Sequence, residues 1–245
     1  MTDLNGSLMF DAPRERRRTR ARSSVAVCIA VLGLAACHDS TTSPATATTL
    51  TVLSGGSQTG TVGAVLAAPV VLQVKDQNGS AMAGVAVSLT VGTASGTVSA
   101  TQLTTDANGQ VTVNWTLGTV AGTDTLVAQI GSLPVLDVLA TATPDAPASL
   151  VVVSGDNQTA TAGTALPTAM TVKVVDQYGN AVPNATVTFS DDANGTLAAT
   201  TVNTDASGMA SDTITLGSNT GTDDVMATIQ TASGPVTITM HETAS

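Results

Sequence analysis

Displaced by 100 residues, the chain aligns with itself. Leu50-Thr51-Val52-Leu53-Ser54-Gly55 falls on Leu150-Val151-Val152-Val153-Ser154-Gly155, and Asp76-Gln77-Asn78-Gly79 falls on Asp176-Gln177-Tyr178-Gly179. After one deletion the offset becomes 99, and Thr105-Asp106-Ala107-Asn108-Gly109 meets Thr204-Asp205-Ala206-Ser207-Gly208. A period of this length means two copies of one structural unit, so any fold assigned to the first copy must also suit the second. At about a hundred residues, each copy is large enough for one small all-β domain with its own core.

Within each copy the apolar period is two. Val70, Leu72 and Val74 alternate with Gln73 and Lys75, and Met170, Val172 and Val174 alternate with Thr171 and Lys173. The runs Val85 to Val91, Val111 to Leu117 and Leu126 to Ile130 alternate likewise, the last echoed by Val225, Ala227 and Ile229. Valine and threonine dominate, and both suit a pleated, half-buried surface. Asp-Gln-Asn-Gly, Asp-Gln-Tyr-Gly, Asp-Ala-Asn-Gly and Asp-Ala-Ser-Gly separate the runs. Each supplies an Asx cap and a glycine for positive φ, which places Gly79 and Gly179 at equivalent turn positions. About seven or eight short strands per copy predict two tandem Ig-like β-sandwiches.

The N-terminus reads as an address and an anchor. Six arginines between Arg14 and Arg22 precede a short apolar stretch, Ser23 to Leu34, that is too brief to span a bilayer. It ends in Leu34-Ala35-Ala36-Cys37, which resembles the lipobox of bacterial lipoproteins. The resemblance implies cleavage before Cys37, diacylglycerol on its sulfur and an acyl group on its new amino terminus. The alternative is an ordinary secretory signal that happens to end near a cysteine. With three acyl chains the mature chain is anchored stably to the membrane. His38, rather than an aspartate, follows Cys37, which favours onward transport to an outer membrane and the cell surface. Met9 is an alternative start to Met1, because the basic region sits late. The expected organisation is a signal peptide at 1–36, a disordered tether at 37–48, domain 1 at 49–143, a linker at 144–148 and domain 2 at 149–245. The linker carries Pro144 and Pro147, which suits a semi-rigid joint between independently folding modules in an elongated array.

Charge excludes one class of partner. From Cys37 onward, fifteen acidic side chains face only Lys75 and Lys173. A surface so poor in Lys and Arg cannot neutralise phosphates, so no nucleic-acid partner is expected. Cys28 lies in the leader and Cys37 carries the lipid, leaving the modules without a thiol pair.

Val172-Lys173-Val174-Val175-Asp176-Gln177-Tyr178-Gly179-Asn180-Ala181-Val182-Pro183-Asn184 resembles the signature of group 1 bacterial immunoglobulin-like domains, the repeats of invasin and intimin. Thr204-Asp205-Ala206-Ser207-Gly208 is similar to a second landmark of that family, and Asp76-Gln77-Asn78-Gly79 carries the first into module 1. The resemblance implies surface-displayed stalk or adhesive repeats. The outer-membrane barrel and C-terminal lectin-like tip of large invasins have no counterpart in this sequence; a lipid on Cys37 takes the place of the barrel.

Catalytic candidates are few. A serine-histidine-aspartate arrangement needs His241 oriented by a buried carboxylate beside an activated serine, and neighbouring Glu242 points to the opposite strand face. No catalytic residue and no cofactor are expected. Asp191, Asp192, Asp223 and Asp224 concentrate oxygen ligands of the kind calcium prefers, but the same residues also serve turns. Module 1 lacks both Asp191 and Asp192. Trp115 and Phe189 fall on core registers, which leaves Tyr178, at a turn tip, as the exposed aromatic able to contact a surface glycan or protein partner. Asp212, aligned with core-register Val113, has a place only if its strand lies at a sheet edge. The expected function is therefore a lipid-anchored structural or adhesive protein without catalysis, with a calcium-dependent or carbohydrate-binding module as the alternative.

Overall fold

The alternation of valine and threonine becomes strands that bury every second side chain, in a computed structural model that describes residues 43–193 and 195–245. Cys37 and the leader lie outside the described residues, as does Asn194. Module 1 contains β1 (Ala47–Ser54), β2 (Gln58–Thr61), β3 (Val70–Asp76), β4 (Ala86–Val91), β5 (Thr97–Val98), β6 (Gln102–Thr104), β7 (Gln110–Val113), β8 (Trp115–Thr116), β9 (Gly122–Gln129) and β10 (Leu136–Thr143). Module 2 repeats the order with β11 (Ser149–Ser154), β12 (Thr159–Ala160), β13 (Met170–Val175), β14 (Thr186–Asp191), β15 (Thr196–Leu197), β16 (Thr201–Asn203), β17 (Met209–Asp212), β18 (Ile214–Thr215), β19 (Gly221–Thr231) and β20 (Gly234–Ala244). Each module has ten strands where the sequence predicts seven or eight. The extra ones are two- to four-residue pieces, such as β5 and β8, made where a longer run bends between sheets.

Both modules form the same sandwich. A three-stranded sheet, β1-β3-β7, faces a five-stranded sheet, β2-β10-β9-β4-β6, and module 2 reproduces both orders as β11-β13-β17 and β12-β20-β19-β14-β16. All pairs are antiparallel except β2 with β10 and β12 with β20, which run parallel. Val70, Leu72, Val74, Val87, Leu89, Trp115, Leu126 and Ala128 fill the first core from both sheets. Met170, Val172, Val174, Val187, Phe189, Ile214, Val225 and Ala227 fill the second. Trp115 takes the place of Ile214, and Phe189 that of Leu89, so each core has its one bulky aromatic at a different position. Among the described residues, no strand of one module pairs with a strand of the other.

The edge strand crosses from one sheet to the other between β1 and β2, and the sequence marks the crossing. Gly55 turns there at φ +79°, a conformation that costs glycine no Cβ clash. Gln58 then holds the turn. Its Nε2 donates to Gly55 O and Ala68 O, both at 2.8 Å, and its Oε1 accepts from Ala68 N at 2.9 Å. Gln158 makes the same three contacts in module 2. The Thr-Asp-Ala-X-Gly landmark has an equally local cause. Buried Thr105 donates to Met82 O and accepts from Val85 N, and Thr204 does the same with Val182 O and Ala185 N. Asp212 finds its edge: β17 pairs with β13 alone, and the carboxylate accepts from Ala199 N at 3.1 Å.

Order begins earlier than the expected boundary at 49. β1 starts at Ala47, and Thr46 N donates to Gln77 Oε1 while Gln77 Nε2 donates to Pro44 O. The Asp-Gln-X-Gly turn thus clamps the segment that leads into its own module, which the Ser, Thr, Pro and Ala composition of that segment does not reveal.

Candidate functional site

Two clusters of polar side chains stand out, one at each end of module 2. The first is built on the Asp176-Gln177-Tyr178-Gly179-Asn180 turn. Buried Asp176 caps it, accepting from Tyr178 N, Asn180 N, Asn180 Nδ2 and Asp145 N. Burial alone would raise the Asp176 carboxyl. The hydrogen bonds from Asn180, Asp145 and Tyr178 outweigh it and hold the pKa below the ordinary value. Gln177 Nε2 donates to Asp145 Oδ2, and Ala148 N to Val175 O, so the linker lies against module 2 as Pro44 to Thr46 lie against module 1.

The same turn reaches module 1. Asn180 Nδ2 donates to Thr119 O at 2.9 Å, and its Oδ1 accepts from Ala121 N at 2.8 Å. Tyr178 lies over Gly63, where an added methyl would meet its hydroxyl at 2.9 Å. The exposed aromatic expected at this turn tip thus also makes a contact between the modules. Tyr178 is still 45% exposed, but its hydroxyl end packs on the neighbouring module. With Trp115 and Phe189 buried, no described aromatic forms an open platform for a sugar.

The second cluster lies at the far end of module 2, where β14 ends and β19 begins. Asp191, Asp192 and Asp223 each present a carboxylate oxygen, all within 4.8 Å of one another. Asp223 is 1% exposed. Its Oδ2 accepts from Gly217 N, and its Oδ1 has no donor. Asp191 takes Gly195 N on Oδ2 at 2.6 Å, while its Oδ1 is likewise buried without a donor. Burial, followed by the facing Asp223 carboxylate, raises the Asp191 pKa to about 6. Asp192 is exposed and accepts from Asp224 N at 2.9 Å.

Asp224 does not join this group, contrary to the four-aspartate expectation. Strand alternation turns it to the other face of β19, opposite His241 on β20, where the two side chains meet at 2.9 Å. The Asp224 hydrogen bond and charge raise the His241 pKa. Among the described residues the side-chain partner of His241, which is 63% exposed, is Asp224 and no serine hydroxyl.

Glu242, which the sequence places on the strand face opposite His241 without assigning it to a site, joins this cluster. It faces Asp223 directly across β19 and β20, is 1% exposed, and accepts from Gln158 N on Oε2 while Oε1 has no donor. Burial raises its pKa to about 7; the Gln158 amide opposes this, and the Asp156 and Asp223 charges add to it. The signal was the alternation itself, since a residue beside solvent-facing His241 must point inward. Module 1 provides an internal comparison. Asp124 corresponds to Asp223 and accepts from Gly118 N in the same way, but Val91 and Ala140 stand where module 2 has Asp191 and Glu242. At this end one buried carboxylate thus belongs to the shared fold, and module 2 adds buried Glu242 and half-buried Asp191.

Residues 150–241 match the model of the bacterial Ig-like domain (group 1) family. Among solved structures, InvD of Yersinia pseudotuberculosis aligns at 21% identity over 80% of this chain and 57% of that one, with a TM-score of 0.53. The Escherichia coli adhesin FdeC aligns at 24% identity over 80% and 65% of the two chains, with a TM-score of 0.47. The D0-D1 domain of intimin aligns at 22% identity over 80% and 98%, with a TM-score of 0.33. The chain spans less than two thirds of the InvD and FdeC structures. At 21% identity the likeness to InvD shows the fold alone. Among curated proteins, none matches the chain.

Proposed function

We propose, for a chain whose residues 150–241 are a group 1 bacterial immunoglobulin-like domain, a non-catalytic role in which two stapled sandwiches are held away from a bacterial membrane as a spacer or adhesive pair. The observation that carries this reading is the joint. Asn180 bonds two backbone groups of module 1 while its own turn caps on Asp176 and grips the linker through Gln177. A hinge meant to bend freely has no use for such a bridge; a stalk does. The match of residues 150–241 to the group 1 bacterial Ig-like family, a resemblance that implies surface-displayed repeats, is consistent with display on the cell surface. The Leu34-Ala35-Ala36-Cys37 motif provides the attachment, through lipid on Cys37.

Cells expressing the full chain, or its Cys37→Ser variant, are labelled with a fatty-acid probe and then treated with protease before lysis. Wild type takes up label and loses its modules to protease, while Cys37→Ser remains unlabelled and leaves the cell envelope. Equal labelling of the two contradicts the anchor, and modules fully protected in intact cells contradict surface display.

A further inference from the structure

The far end of module 2 differs from the same end of module 1 in two ways. In module 1 that end is covered: Gly63, Thr119 and Ala121 receive Tyr178 and Asn180. Gly63 and Thr119 stay exposed despite these contacts, and in module 2 no described residue bonds to or lies over the corresponding Gly163, Ser218 and Thr220. The second difference is charge. Only there do additional carboxylates gather around the shared buried aspartate.

The unmatched oxygens require a positive partner. Asp223 Oδ1 is buried, lies within the group formed with Asp191 and Asp192, and receives no hydrogen bond. Asp191 Oδ1 is in the same position, with Gly195 N already spent on Oδ2. Two buried carboxylate oxygens without donors cost more than an apolar pair unless a proton or a cation lies between them. A group made entirely of carboxylate oxygens is a hard-ion site, without the nitrogen or sulfur that zinc and copper favour. The oxygens all lie within 4.8 Å of one another, close enough to share one ion. Calcium takes several carboxylates in flexible geometry, whereas magnesium gives up its waters reluctantly and is usually held by only one or two carboxylates, so three converging carboxylates favour calcium.

We infer that Asp191, Asp192 and Asp223 form a calcium site at the exposed end of module 2, tying the end of β14 to the start of β19. Glu242, directly opposite Asp223, adds negative potential without ligating. Since Val91 and Gly92 replace Asp191 and Asp192 in module 1, the site occurs once among the described residues.

Residues 44–245 contain every described strand and both cores, and this fragment, stripped with EDTA and dialysed, is the material for calorimetric titration with calcium chloride at pH 7.5. One saturable site per chain is expected, with magnesium chloride binding at least ten-fold more weakly. Asp191→Val installs the module 1 residue, and Asp192→Ala alters an exposed side chain that lies outside the core and bonds Asp224 N; each lowers calcium affinity at least ten-fold. Asp137→Asn, which removes an exposed acid in module 1, leaves it unchanged. Should Asp191→Val fail to fold, Asp192→Ala decides alone. No saturable calcium binding overturns the inference, as does affinity unchanged in Asp192→Ala, or magnesium binding as tightly as calcium.

Discussion

At Gly79 and Gly179 the backbone turns at φ +78° and +87°, and an added Cβ would meet nothing within 4 Å. At Gly109, φ is +69° and an added Cβ would lie 2.6 Å from Val74 O. The first pair therefore tests backbone strain alone, and the second site adds a clash with backbone that cannot move aside. Gly79→Val is expected to cost about 1–3 kcal/mol. Gly109→Val is expected to cost more, by urea denaturation of residues 44–245; equal costs would mean that the crowding at Gly109 relaxes freely. The carboxylates of module 2 make a separate prediction. Asp191 at about 6 and Glu242 at about 7 both hold protons that the unfolded chain has already released. Stability from these groups is therefore present below their ordinary carboxylate range and is lost as pH rises through 6 and 7. His241, also raised, contributes in the same direction. Asp176, lowered, contributes above its ordinary value and is lost only in stronger acid. In EDTA, the module 2 melting temperature should be higher at pH 5 than at pH 8, and Glu242→Gln should flatten the difference. A higher value at pH 8 in wild type would refute the assignment of raised pKa values.

The strands show what a single sequence makes legible. Val70, Leu72 and Val74 and their module 2 counterparts are all fully buried, as period-two spacing predicts. The four Asp-X-X-Gly turns were readable because each aspartate caps amides two and four residues on, as Asp106 does for Asn108 and Gln110. What escaped the reading depends on register between distant strands. Glu242 meets Asp223, and Asp224 meets His241, because β19 and β20 pair residues whose numbers sum to a fixed value that no local motif states. Tyr178 was legible as a turn residue but not as a joint residue, since Gly63 lies in the other copy. The Gln58 and Gln158 staples are element-level features, each closing the crossing of an edge strand with three hydrogen bonds. Gln158→Ala leaves Ala160 and the paired part of β12 without this support and should destabilise module 2 by about 1–3 kcal/mol. The reading fails if a thermal melt of that variant coincides with wild type.

Across the whole molecule, the two cores are separate and the joint holds them in register. Asn180→Ala removes both bonds to Thr119 and Ala121 and leaves each core intact. Its two modules should tumble more independently by NMR relaxation at nearly unchanged melting temperature; unchanged relaxation would mean that the linker alone sets the joint. Module 1 meets the entry end of module 2 with its far end, so the two sandwiches follow one another and the acidic end of module 2 lies away from the joint. The most direct test of this arrangement is small-angle scattering of residues 44–245. A strand of eleven residues, as in β20, is about 36 Å long, and two such sandwiches in line reach a maximum dimension of about 80 Å. A single globule of this chain length has a radius of gyration of about 17 Å. A radius well above that, with a maximum dimension near the in-line value, is the predicted result, and a globular profile at the smaller radius would contradict it.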